Sequence, residues 1–216
     1  MVKERRYVTN LELALEIRNL PGAVVECGVW RGGMIAGIAS LLGNERRYHL
    51  FDSFRGLPPA EDIDGGTPSG QSAVDWQAVT GHNCAASEDK AIEAMALAGV
   101  DNYRTHVGWF SHTLPGDEGY PDGIALLRLD GDWYSSTTEV LESLFPYVNP
   151  GGLVIIDDYW YWDGCALAVH GYLHRHSRYE RIEAEGSRRP ADNRVAFMVK
   201  RPDPDTAAPD TVMVFP

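Results

Sequence analysis

Two runs of apolar, largely β-branched residues, Ala23-Val24-Val25 and Leu153-Val154-Ile155-Ile156, do most to limit what this chain can fold into. Apolar side chains occupy successive positions, so both faces of each strand must be buried. Strands of that kind belong to parallel sheets covered on both sides. Tyr48-His49-Leu50-Phe51, Tyr103 to Val107 and Ile124 to Leu129 are further candidates, followed near the end by Tyr179 to Ala184 and Arg194 to Lys200. Helical patterns separate them: Leu11 to Leu20, Met34 to Leu42, Ser87 to Ala98, Thr137 to Val148 and Asp163 to His176. The alternation predicts an α/β fold with a doubly wound, mostly parallel sheet. No helical pattern separates the last two strands, only Gly186 to Asn193, so they are expected to pair as a C-terminal antiparallel hairpin.

A chain of 216 residues suits a single domain with a full core. That domain is expected over 1–202, with a short N-terminal helix within 1–20 and a loose tail over 203–216. Residues 55–83 are rich in Gly, Pro and Asp and lack periodicity. So long a loop in a compact domain is usually functional, often a lid. The net charge of −12, with no basic block, speaks against a nucleic-acid partner. The excess acid keeps the protein soluble, and part of it is free to line a metal site. Cys27, Cys84 and Cys165 are odd in number, widely spaced and without a CxxC pair, which argues against disulfides and structural zinc. With no apolar leader over Met1 to Asn10 and no stretch of membrane-spanning length, a cytoplasmic location without membrane contact is expected.

The segment Val24-Val25-Glu26-Cys27-Gly28-Val29-Trp30-Arg31-Gly32-Gly33 closes a strand and opens a helix. Gly28 permits a tight turn, while Gly32 and Gly33 allow a ligand to approach the backbone at a helix N-terminus. Asp52, at the end of the next strand, is placed to accept hydrogen bonds from ribose hydroxyls. A glycine-rich turn alone is a weak signal; the flanking strand, helix and spaced acid strengthen it. A dinucleotide site would show GxGxxG, whereas here an acid precedes the first glycine. Glu26 suits a positively charged amino-acid cofactor better than a pyrophosphate, which favours S-adenosylmethionine over NAD.

Leu127-Arg128-Leu129-Asp130-Gly131-Asp132 ends the fourth strand and Ile155-Ile156-Asp157-Asp158 the fifth. Ligands of doubly wound sheets bind outside the carboxyl ends of the strands. Asp130, Asp132, Asp157 and Asp158 should therefore meet in one cleft. Carboxylates so grouped repel one another unless a cation intervenes, and oxygen donors suit Mg²⁺. Each acid taken singly also reads as an ordinary turn residue.

At these residues the sequence resembles the macrocin O-methyltransferase family, which methylates sugar hydroxyls on antibiotics. The resemblance is carried by Val-Glu-Cys-Gly-Val-Trp-Arg-Gly-Gly, Leu-Phe-Asp-Ser-Phe-Arg-Gly-Leu-Pro, Arg-Leu-Asp-Gly-Asp-Trp-Tyr-Ser-Ser-Thr and Pro-Gly-Gly-Leu-Val-Ile-Ile-Asp-Asp-Tyr. Val107-Gly108-Trp109-Phe110 followed by Thr113-Leu114-Pro115 adds to it. The family implies a seven-stranded, Rossmann-like class I methyltransferase sheet. It implies that Glu26, Gly28 and Asp52 hold S-adenosylmethionine with Trp109 near the adenine; Trp30, Arg31, Gly32, Ser53 and Asp130 complete the candidate cofactor set. It further implies Mg²⁺ on Asp130, Asp157 and Asp158, with Asp130 or Asp132 as the group that takes the proton. Members usually carry a longer N-terminal region that helps form a lid and a dimer contact. Only about twenty residues precede the first strand here, so a homodimer and the enclosure of substrate stay open.

The run Tyr159-Trp160-Tyr161-Trp162 could stack on a sugar or aglycone, or pack against the lid. Among the histidines at 82, 106, 112, 170, 174 and 176, His112 is close in sequence to Trp109, and His170 and His174 share metal-binding spacing on one helix. The function expected is methylation of a hydroxyl on a sugar or other small natural product. The rivals are an NAD(P)-type oxidoreductase on the same sheet and a non-catalytic module that binds S-adenosylmethionine.

Overall fold

The computed structural model describes residues 2–80, 83–114, 120, 122–186 and 194–203. Seven strands form one sheet: β1 (Ala23–Cys27), β2 (Tyr48–Asp52), β3 (Tyr103–Val107), β4 (Ile124–Leu129), β5 (Val148–Ile156), β6 (Glu183–Gly186) and β7 (Arg194–Val199), in the order β3-β2-β1-β4-β5-β7-β6. The first five are parallel, and β7 pairs antiparallel with both β5 and β6. The seven-stranded sheet and its antiparallel C-terminal pair match the expectation from sequence. The turn joining β6 to β7 and the tail from 204 onward lie outside the described residues.

Helices cover both faces, as the continuous apolar strands require. On one face α1 (Glu4–Glu16), α2 (Gly33–Leu42) and α4 (Glu88–Leu97) pack Leu13, Ile35, Ile38 and Met95 against Val24, Leu50, Leu126 and Ile155. On the other, α6 (Tyr134–Leu144) and α7 (Asp163–Arg175) pack Val140, Leu141 and Val169 against Val25, Leu127, Val154 and Ile156. Each fully buried aliphatic side chain contributes on the order of 1.5–3 kcal/mol, so the alternation along β1 and β5 fixes which helices lie on which side.

Boundaries depart from the sequence reading where distant side chains intervene. The N-terminal helix ends at Glu16, not near Leu20, because the Arg46 guanidinium takes the carbonyls of Ile17 and Arg18. β6 begins at Glu183, not Tyr179, because Glu180 is bound by Arg178 and the Arg201 amide before the ladder with β7 starts. The segment 55–83 is not all loop: it contains a 3₁₀ turn, Asp62–Asp64, and the helix α3 (Ala73–Thr80). A four-residue helix, α5 (Phe110–Thr113), follows β3. No helix among the described residues is long and apolar enough to cross a membrane.

Candidate functional site

The strand order reverses between β1 and β4, where the chain leaves β1 for β2 on one side and meets β4 on the other. That reversal opens a crevice at the carboxyl ends of the strands. Gly28 stands at its floor with φ +95°; a Cβ there would fall 1.8 Å from the Asp130 carbonyl oxygen, so no other residue lets β1 and β4 close this tightly. Gly32 (φ +76°) precedes α2, and a Cβ on it would press on Ala91 of α4. A Cβ at Gly33 would meet open space, so its freedom is not needed for packing.

Asp52 ends β2 facing this turn. Its Oδ2 accepts the Trp30 N–H (2.7 Å) and its Oδ1 the Phe54 N–H (2.6 Å). Both donors sit at positive φ, near +50° and +54°, so one carboxylate anchors two strained turns. Ser53 and Trp109, with Arg55, Val107, Gly108 and His112, line a cavity of about 150 Å³ beyond β2 and β3. Arg31 stacks over the Trp30 ring at 4.7 Å. Glu26 does not face open space. It is buried on the α1 and α2 side, with Oε1 2.7 Å from Arg128 and Oε2 accepting the Ile35 N–H. Burial pushes its pKa up to about 8 despite the guanidinium.

The four cleft acids divide into two kinds. Asp130, Asp132 and Asp158 bring carboxylate oxygens within 4.8 Å of one another. Asp157, expected beside Asp130 and Asp158 as a ligand, pairs with the Arg128 and Arg6 guanidiniums, the latter at 2.8 Å. Asp132 is the third acid grouped with Asp130 and Asp158. It sits at φ +59°, its N–H donates to Asp158 Oδ2 (3.1 Å), and its Oδ1 accepts the indole N–H of Trp162 (3.1 Å). Burial and then Asp130 push Asp132 up to about 7. Burial and then Asp132 lift Asp158 far above the carboxylate range; burial and then Asp157 raise Asp130. Asp157 is buried too, but the two arginines outweigh that and hold it low.

Arg128, which the sequence reading passed over, is the hub. It is fully buried and donates to Asn10 Oδ1 (3.2 Å), Glu26 Oε1 (2.7 Å), Asp130 Oδ2 (2.7 Å) and Asp157 Oδ1. A charged residue inside Leu-Leu-Arg-Leu was the available signal, since a buried charge demands partners. Around the hub, Glu26, Asp130, Asp132, Asp157 and Asp158 have Arg6 and Arg128 as their close cations among the described residues. Three clustered oxygen donors with surplus negative charge fit a hard divalent cation.

The aromatic run is divided in the same way. Trp162 is buried and packs edge-on against Trp133 and Trp76, which places it under the 55–83 segment. Trp160 lies beneath Arg194, and Tyr159 meets His170 through a 2.8 Å hydrogen bond. His106 stacks on Phe51 and His49, and His176 bonds Glu142. Among the described residues His170 and His174 join no metal-ligating group. His82 lies outside the described residues.

An open sheet of this order, with a glycine turn after β1 and an acid closing β2, has the architecture of a class I methyltransferase. The macrocin O-methyltransferase (TylF) model matches residues 1–184, and the chain belongs to that family. A relative from Streptomyces olivaceus, 8-demethyl-8-(2,3-dimethoxy-alpha-L-rhamnosyl)-tetracenomycin-C 4'-O-methyltransferase, is 38% identical over 79% of this chain and 66% of its own length. Demethyldecarbamoylnovobiocin O-methyltransferase from Streptomyces niveus is 35% identical over 71% of this chain and 59% of its own. The chain thus spans less than two thirds of the length of these curated relatives. The solved O-methyltransferase NovP is 28% identical, with a TM-score of 0.73 over 92% of this chain and 80% of that one.

Proposed function

We propose that the protein is an S-adenosylmethionine-dependent, Mg²⁺-assisted O-methyltransferase acting on a hydroxyl of a sugar or other small natural product in the cytoplasm. The observation that carries this reading is the triad of Asp130, Asp132 and Asp158 set at the switch point beside the Gly28 turn. Family membership, a relative named for 4'-O-methylation of a rhamnosyl-bearing compound and another named as an O-methyltransferase support the substrate class. Asp52 is the acceptor for ribose hydroxyls, the cavity at Ser53 and Trp109 takes the base, and Gly28, Trp30, Arg31 and Gly32 shape the turn beneath. Glu26 acts on the cofactor pocket from beneath, through Ile35 and Arg128.

Bound at the triad, the cation would supply a Lewis acid that lowers the pKa of a coordinated hydroxyl. Asp132, with one oxygen fixed by Trp162, holds its other oxygen for the hydroxyl proton, and Asp130 orients beside it. The aromatic trio of Trp76, Trp133 and Trp162 walls off water behind them.

Calorimetry with S-adenosylhomocysteine and NAD, followed by turnover with and without EDTA, tests this. Binding of S-adenosylhomocysteine alone, with activity abolished by EDTA and restored by Mg²⁺, is expected. NAD binding would favour an oxidoreductase. Full activity in EDTA would remove the metal, and cofactor binding with no turnover of any glycoside would leave a binding module.

A further inference from the structure

Arg6 stands in the first turn of α1, the end of that helix nearest the acid cleft. One turn on, Asn10 accepts from Arg128 and donates its amide to the Arg6 carbonyl. The face Arg6, Asn10, Leu13, Ala14, Ile17 therefore meets the sheet, polar at the cleft end and apolar below. The Arg6 guanidinium spans both parts of Asp157, pairing with Oδ2 at 2.8 Å and donating to its main-chain carbonyl. Its Nε is buried and has no hydrogen-bond partner among the described residues.

We infer that Arg6 is a tethered counter-cation that withholds Asp157 from the metal site, so that a divalent ion and the first turn of α1 compete for the same carboxylate. The inference rests on the metal reading above. Two guanidiniums, one on β4 and one on α1, share Asp157. Arg128 is fixed within the sheet and binds three further groups, whereas Arg6 reaches Asp157 on a long side chain whose Nε has no hydrogen-bond partner among the described residues. Arg6 is therefore the partner that can yield. Asp157 adjoins Asp158 in sequence and acts electrostatically on both Asp130 and Asp158, so a cation held by Asp130, Asp132 and Asp158 would repel the guanidinium while attracting the Asp157 carboxylate. Because such coupling is reciprocal, binding of the ion loosens the first turn, and loss of the guanidinium tightens binding of the ion. Arg6 thus sets whether the ligand set has three acids or four.

The test uses Mn²⁺ as the probe, with calorimetry or its paramagnetic signal for affinity and hydrogen exchange for the helix. Arg6→Met keeps the apolar stem and should bind Mn²⁺ about tenfold more tightly, a change of about 1.4 kcal/mol. Arg6→Lys restores a charge and should return affinity toward that of the unmodified protein. In the unmodified protein, Mn²⁺ should speed exchange of the amides over 7–10. A side chain that merely braced the fold would give the opposite sign, with weaker Mn²⁺ binding in Arg6→Met. Unchanged or weaker binding in Arg6→Met, when the unmodified protein binds Mn²⁺, overturns the inference alone. Failure of the unmodified protein to bind Mn²⁺ at all overturns the metal reading and this inference with it.

Discussion

At the scale of single residues, Asp52 carries two duties that can be separated. Its oxygens hold the Trp30 and Phe54 amides, and in the proposed function their remaining lone pairs would take the ribose hydroxyls. Hydrogen bonds to charged groups are worth roughly 1.5–3 kcal/mol. Asp52→Ala should therefore raise the Kd for S-adenosylhomocysteine by about tenfold to a hundredfold. Unchanged affinity in a folded variant would reduce Asp52 to a turn anchor. The cysteines make a second residue-scale prediction. Burial lifts Cys27 and Cys165 well above the ordinary thiol range and Cys84, only half-buried, to about 11. The thiolate is the reactive form, so its fraction rises about tenfold per pH unit below that value. Iodoacetamide should modify Cys84 first, at a rate climbing from pH 7 toward 11, with Cys27 and Cys165 spared until unfolding. Mass spectrometry finding Cys165 labelled first would contradict this.

Among the elements, α6 shows how a distant side chain sets a boundary. Asp64, 2% exposed, accepts the Tyr134 N–H (2.8 Å) and so caps the helix from 70 residues upstream, while also accepting the Glu61 N–H. Loss of a cap costs about 1 kcal/mol, up to about 2. In a chain of this size that is a fall of about 2–8 °C in Tm for Asp64→Ala, measured by calorimetry. No local signal near Thr137 could reveal a start at Tyr134, which is why the sequence reading began that helix late. The strands were legible for the opposite reason. Val24-Val25, Leu126-Leu127 and Ile155-Ile156 are buried by both helical layers, and their neighbours in sequence are enough to say so. α3 was not legible because its Val74 and Val79 point outward and only Ala73 is buried.

For the whole molecule, the 55–83 segment is partly fastened. Pro58 accepts from the Trp133 indole, Gly65 and Gly66 meet Asp163, and Trp76 packs on Trp162. Residues 61–65 should be protected from hydrogen exchange in the free protein, whereas 67–72 should slow only when S-adenosylhomocysteine and Mg²⁺ are added. Equal protection of the entire segment without ligand would make it a fixed wall. The acids of the site were legible because each follows a core strand. Their division into a triad and a paired Asp157 was not, since it depends on Arg6 and Arg128, whose partners are far away in sequence.

The placement of Arg128 also bears on how the chain reaches its fold. Its partners Asn10 and Glu26 are 118 and 102 positions away, and Asp157 is 29 positions in the other direction. A guanidinium cannot be buried at low cost until those groups have arrived. Any intermediate that closes β4 into the sheet before α1 and β5 have docked must therefore leave that charge hydrated and the centre of the core wet. The two halves of the sheet are bound into one cooperative unit, and a fragment ending before β5 has no route to a dry interior.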